Sequence, residues 1–148
     1  MTLDNERGSE ISVAQAIARA RHRLGLDAAV AATAWRSRRE DDPGDSYYLV
    51  ILGDPDRALG VAAVEAATGE LMEWTKLPGT GPHLTTGPEE AMRHAAASGG
   101  HPELVWRSSR ASRSLLYPVW RVETGRGTVY VDQQGVVWDS LEPDETGG

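Results

Sequence analysis
The sequence predicts an α+β fold: a tandem repeat of one helix plus three or four antiparallel strands, with the helices packed on curved antiparallel sheet. Three observations carry that reading. A capped amphipathic segment lies near the start. Val-rich runs bounded by Gly, Pro and Asp clusters follow it, the pattern of short strands and hairpins. The same order of signals then returns at an offset of about 66 to 75 residues. Two copies of one supersecondary unit is the simplest explanation of that offset.

The first helix is announced by Ser12 and Gln15, which have the spacing of a capping box. Val13, Ile17, Ala20 and Leu24 recur at intervals of four, three and four, one apolar stripe on a 3.6-residue helix. Arg19, Arg21 and Arg23 fall off the stripe, and Gly25 is placed to terminate the helix. Residues 28–35 are open between helix and strand. Asp42-Pro43-Gly44-Asp45 is a turn, and Tyr47-Tyr48-Leu49-Val50-Ile51-Leu52 reads as a strand. A glycine-containing turn over Gly53 to Gly60 leads into a β-branched run ending Val64-Glu65. Gly69 and Leu71-Met72 mark one more turn and strand.

The second helix is expected near Gly87, with Thr86 and Glu89 at capping-box spacing and Pro88 in the first turn. Ala91, Met92, Ala95 and Ala96 give it a small apolar face, and Gly99-Gly100 stops it. Leu104-Val105-Trp106, Tyr117-Pro118-Val119-Trp120-Arg121-Val122, a run ending Val131-Asp132, and Val136-Val137-Trp138 are its strands. Gly125-Arg126-Gly127 and Gln133-Gln134-Gly135 suit tight hairpins. The chain therefore reads as a single domain over 1–148 made of two repeats, about 9–76 and 85–141. A connector occupies 76–86, and 142–148 read as a flexible acidic tail. A unit of about 65 residues is marginal alone, so the halves are expected to share a core or sheet.

Composition excludes several functions. The 148 residues hold no Cys, which removes disulfides, thiolate metal sites and a Cys nucleophile. Lys76 is the single lysine, so a P-loop is absent. A net charge of −7 argues against a nucleic-acid partner. The start of the chain, Met1-Thr2-Leu3-Asp4-Asn5-Glu6-Arg7, has neither a basic nor an apolar signal region, and no run is long enough to span a bilayer. The expected location is the cytoplasm, with no membrane partner.

Catalytic and metal patterns are thin. His94, His101 and one of Glu89 or Glu90 have the residue types of a metal shell at the end of the second helix, and His83 lies upstream. This is the alternative reading, a small-ligand or metal-binding protein or enzyme. Asp54-Pro55-Asp56 lacks the remaining ligands of a calcium loop and reads as an acidic turn. There is no G-x-S-x-G elbow, and Asp41-Asp42 and Glu89-Glu90 lack the separated environments of an acid/base pair. The sequence implies no cofactor, no bound metal and no catalytic residue.

The distinctive pattern is tryptophan beside arginine: Trp35-Arg36, Trp106-Arg107 and Trp120-Arg121. Neighbours in a strand point to opposite faces, so each pair places an aromatic on one side and a cation on the other. Trp and Arg are enriched at binding hot spots, and these six residues are the candidate binding surface. With no Phe in the chain, the same tryptophans are also candidates for the core. Residues 103–131 hold five Arg against two Glu, and 132–148 hold five acids and no base. The reading is a non-enzymatic binding or regulatory module for a protein or peptide partner, with a homodimer as a variant.

Val64-Glu65-Ala66-Ala67-Thr68-Gly69-Glu70-Leu71, after a helix and strands, resembles the PepSY family, whose usual ending is an aliphatic-Asp-x-x-Thr-Gly-Glu type turn. Tyr130-Val131-Asp132-Gln133-Gln134-Gly135-Val136-Val137 looks like a shortened version of it. The resemblance covers most of residues 11–141. It implies a domain that binds or restrains a peptidase, mostly outside the membrane. The order of helix then hairpins is also similar to small cytosolic immunity proteins. Neither resemblance supplies a catalytic residue.

Overall fold
The computed structural model describes residues 10–42, 44–97 and 100–142. The N-terminal heptapeptide, Pro43 of the expected turn, Gly99 and the tail from 143 onward lie outside the described residues. Two helices and eight strands follow in the order α1 (Val13–Leu24), β1 (Ala32–Arg39), β2 (Ser46–Asp54), β3 (Arg57–Glu65), β4 (Leu71–Lys76), α2 (Pro88–His94), β5 (Glu103–Trp106), β6 (Val119–Thr124), β7 (Gly127–Val131) and β8 (Val137–Trp138). The fold class is α+β. The chain divides into two compact units: residues up to Arg36 with Asp45–His83, and Ser37–Gly44 with Leu84 onward.

In the first unit, α1 begins as its sequence dictates. Ser12 Oγ accepts from Gln15 N–H at 3.1 Å, and Gln15 Oε1 accepts from Ser12 N–H at 2.8 Å. Gly25 ends the helix with φ +68°, a left-handed conformation that costs glycine nothing, and Leu26 N–H closes back on Arg21 O at 2.9 Å. The buried stripe is Ala16, Ala20 and Leu24: Ala20 and Leu24 are as expected, and Ala16 takes the place expected of Ile17. Val13 is 46% exposed and Ile17 lies at the rim of the core. Small residues at the contact let the helix backbone approach the strands, so the larger Ile17 is displaced to the side.

The strands of this unit hydrogen-bond in the order β4-β3-β2-β1. Tyr48, Val50 and Leu52 of β2 and Ala62 and Val64 of β3 form one core with the α1 stripe. Tyr47, Leu49, Ile51, Val61 and Ala63, on the opposite face, are buried too. Burial on both faces is why these strands read as continuous apolar runs rather than alternating ones. The open stretch 28–35 resolves into a turn, where Asp27 Oδ1 accepts from Ala29 N–H at 2.9 Å, and a strand from Ala32. The hairpin between β2 and β3 is tight, closing at Asp54↔Arg57, so Gly60 lies inside β3 rather than in the expected longer turn.

In the second unit the strand order is β1-β5-β6-β7-β8. β1 begins in the first unit and ends in this one, where it pairs parallel with β5 through Arg38↔Val105 and Arg39↔Trp106. All other pairings given for the strands are antiparallel. The eight-stranded sheet is therefore mixed, which corrects the expectation of an antiparallel one. Parallel neighbours need a long crossover, and the chain from β2 through α2 supplies it. Helix α2 is shorter and starts one residue later than expected. Gly87 is its N-cap, and Glu90 Oε1 accepts from Gly87 N–H at 3.2 Å. Thr86 is buried instead, and its carbonyl accepts from Trp120 Nε1 at 2.7 Å. The helix ends at His94 with only Ala91 buried, before the expected glycine stop. Val105, Val119 and Leu141, with Ala111 and Tyr130 packed against them, form a core in this unit. Among the described residues, no helix is long and apolar enough to cross a membrane.

Candidate functional site
The six tryptophan and arginine candidates fall in different settings. Trp35 and Arg36 belong to the first unit and the other four to the second. Arg36 is exposed, donating to Glu10 Oε2 at 2.8 Å and to Tyr48 Oη at 3.3 Å. Trp35 is half-buried. Trp106 and Trp120 are buried, and both indole N–H groups are used inside the protein, by Ser112 Oγ at 3.2 Å and Thr86 O at 2.7 Å. These two are core aromatics, filling volume that Phe often fills. Arg107 and Arg121 are half-buried. The strand alternation holds at Trp120-Arg121: the ring enters the core and the guanidinium joins a charged lattice.

That lattice is balanced within itself. Arg38 Nε donates to Glu103 Oε2 at 3.0 Å and Arg38 Nη2 to Glu103 Oε1 at 3.2 Å, a bidentate pair. Arg38 also reaches Glu40 at 3.2 Å. Arg121 lies 3.8 Å from Glu40, 3.9 Å from Glu103 and 3.0 Å from Glu123. Tyr130 Oη donates to Glu40 Oε1 at 3.1 Å. Arg38 holds the Glu103 carboxyl below the usual carboxylate range, chiefly by hydrogen bonding, and Arg39 does the same to Asp41. Burial, then the charge of Glu40, pushes the Tyr130 phenol up. Every acid here faces a cation. The lattice binds strands together.

Because the folded-state pKa of Glu103 is depressed, its contribution to stability exists above the unfolded carboxylate range and disappears as pH falls through the folded value. Its side chain is 46% exposed, so solvent screens the pair. Glu103→Gln is expected to cost under about 1 kcal/mol at neutral pH. The difference from the unsubstituted chain should shrink between neutral and acid pH, as pH falls through the folded value of Glu103. Urea midpoints at the two pH values check this, and a difference that persists in acid would assign the loss to something other than the charge.

A cleft of 700 Å³ with polar chemistry lies in the second unit. Its first wall is the loop between β5 and β6. Trp106 Nε1 donates to Ser112 Oγ, which donates to Ser114 O at 3.0 Å, and Leu116 N–H donates to Ser114 Oγ at 3.1 Å. Ser109 and Ser112 exchange main-chain hydrogen bonds at 2.9 and 3.2 Å. These bonds fix a loop that has no helix or strand of its own, and it carries Arg110, Arg113 and Tyr117 to the cleft. The second wall is the turn between β7 and β8. Buried Asp132 accepts from Gln134 N–H at 2.8 Å, Val136 N–H at 2.9 Å and Trp138 Nε1 at 2.9 Å. Gly135 completes the turn at φ +83°, a conformation that favours glycine, and a Cβ there would crowd His94 Nε2 at 3.1 Å.

Sequence reasoning missed this cleft. The available signal was the run Arg107-Ser108-Ser109-Arg110-Ala111-Ser112-Arg113-Ser114, which is only Arg, Ser and Ala. The metal alternative gains no geometry: among the described residues no group of three or more His, Asp or Glu is placed to hold an ion. His94 and His101 are exposed, Glu90 caps α2, and His83 is buried in the first unit. None of the four lines the cleft.

No protein-family model matches the chain, and no curated protein and no solved structure matches it either.

Proposed function
We propose that this chain is a non-enzymatic binding or regulatory module that recognises a peptide or protein segment in the cleft of its second unit. One observation carries the reading: the cleft is lined by cationic, hydroxyl, amide and aromatic side chains, and its one carboxylate, Asp132, is spent on holding the wall. A volume of 700 Å³ lies in the range of ligand sites. Such a surface can grip a ligand and has no nucleophile–base pair to transform it. Each unit follows a helix with strands, and each has a glycine turn, one residue shorter in the second unit. Gly69 N–H bonds Glu65 O at 2.8 Å, and Gly135 N–H bonds Asp132 O at 3.1 Å. We read this as a duplicated PepSY-like or immunity-like unit working in the cytoplasm on a protein partner.

The test is selection of a random peptide library, displayed on phage, against the full chain. Enriched peptides are expected to bind the unsubstituted chain and to lose at least about tenfold in affinity against Val136→Arg, which puts a bulky charge at the cleft mouth where Val136 is 45% exposed. Failure to enrich any peptide, equal binding to the variant, or hydrolysis of the bound peptides would overturn the reading.

A further inference from the structure
We infer that the segment taken by this cleft is acidic, with carboxylates meeting Arg110 and an apolar side chain seated on Tyr117, Val136 and Trp138. The inference rests on the binding reading above and adds the chemistry of the ligand. Most arginines of the β1–β6 region are already committed: Arg36 pairs with Glu10, Arg38 with Glu103, Arg39 with Asp41 and Arg121 with Glu123. Arg110 differs. It is exposed, it projects into the cleft, and it is in no ion pair among the described residues. Arg113 lines the same cleft. Across from them, the one cleft carboxylate has both oxygens occupied by N–H donors, Oδ1 by Gln134 and Val136 and Oδ2 by the Trp138 ring. Arg110 therefore supplies a guanidinium in no ion pair among the described residues, with Asp139 and Glu142 lining a neighbouring hollow that it shares, in a molecule whose net charge is −7. A guanidinium offers donors in a planar fork that fits a carboxylate bidentately.

Part of the remaining wall is apolar and exposed in a way that suits a side chain. Tyr117 is 44% and Val136 45% exposed, and the Trp138 ring is fixed in place by Asp132. A lone inorganic anion would leave that wall and most of the 700 Å³ unused. A nucleic acid needs many phosphate contacts along a basic face, and an acidic chain with one small basic cleft opposes it. An acidic peptide with an aliphatic or aromatic residue beside its carboxylates uses both parts.

The experiment compares peptides selected from the random library by the full chain with the same peptides synthesised with glutamine and asparagine in place of glutamate and aspartate. Binding is followed by anisotropy of a labelled peptide. Selected peptides are expected to be rich in Asp and Glu, to lose at least about tenfold in affinity as amides, and to weaken as salt is raised. Arg110→Glu should lose about as much. Arg110→Lys should retain part of the affinity, and Arg126→Glu, on the β6–β7 turn away from the cleft, should change nothing. Both Arg110 and Arg126 are exposed, and circular dichroism verifies that the variants fold. Neutral or basic winners, or amide peptides that bind equally well, overturn the acidic class and leave the peptide-binding reading standing. Tighter binding of a single-stranded DNA of matched charge overturns it in favour of nucleic acid. Absence of any selected peptide removes both readings.

Discussion
Trp120→Ala is expected to lower the free energy of unfolding by about 3–5 kcal/mol, the range for removing a large aromatic from a core. The side chain is 2% exposed on β6, between Leu104 of β5 and Val131 of β7 in the strand register. Two losses add. The cavity removes the ring's contacts with its neighbours, and the buried Thr86 carbonyl loses the indole N–H that reaches it at 2.7 Å. The second loss can be largely separated. Trp120→Phe keeps much of the apolar volume and removes the donor with a smaller part of the ring, so it should cost about 1–3 kcal/mol. Thr86 immediately precedes the N-cap of α2, and its N–H is held by Gln133 Oε1 at 2.9 Å. Trp120 thus fixes the entry of α2 from one side while Gln133 fixes it from the other. Urea unfolding followed by both far-ultraviolet circular dichroism and tryptophan fluorescence measures the change, and coincidence of the two transitions is the condition for a single free energy. A loss below about 1 kcal/mol for the alanine variant would mean that the ring is not packed as described.

Local signals in the sequence were legible and long-range ones were not. Ser12, Gln15 and Gly25 specify the ends of α1 because capping chemistry acts over three or four residues, and all three act as expected. Which face of α1 turns inward depends on how closely the helix can approach the strands. That distance favours Ala16 over Ile17, and spacing alone does not reveal it. The strands around Tyr48 and Val122 were readable from β-branched and aromatic content, whereas the parallel pairing of Arg38 with Val105 is a contact between distant residues with no local signature. At the site, the adjacency of Trp120 and Arg121 correctly separated core from surface. It carried no information on which side a partner would see, because Trp106 and Trp120 serve the interior. The cleft was hidden for a physical reason. Arg110, Arg113 and Tyr117 sit on a loop without periodicity, and the loop acquires its shape from serine hydrogen bonds that form only when Ser112 meets Trp106.

Asp132→Ala carries the second large expected effect, about 2–4 kcal/mol of stability together with loss of peptide binding in the cleft. The residue is 6% exposed and its carboxylate accepts three hydrogen bonds, two from main-chain N–H groups of the turn and one from the Trp138 ring. Alanine leaves those donors without an acceptor in a poorly hydrated place, the expensive side of hydrogen-bond asymmetry. Asparagine is the discriminating substitution. Its carbonyl oxygen can still serve Gln134 and Val136, but its NH₂ then faces the Trp138 N–H, donor against donor, so Asp132→Asn should fall between the alanine variant and the unsubstituted chain. The comparable turn of the first unit shows why burial sets the magnitude. Thr68 Oγ1 donates to Glu65 Oε1 at 2.6 Å at an exposed position, where water replaces a lost partner and Thr68→Ala should cost well under about 1 kcal/mol. β8 is only two residues long, Val137–Trp138, so it depends on the Asp132–Trp138 link more than on its own ladder. Released from that link, Trp138 should become more accessible to acrylamide, and the apolar wall of the cleft should go with it. An alanine variant within about 0.5 kcal/mol of the unsubstituted chain, or one that binds peptide normally with Trp138 unquenched, would show that the turn holds its shape without the carboxylate.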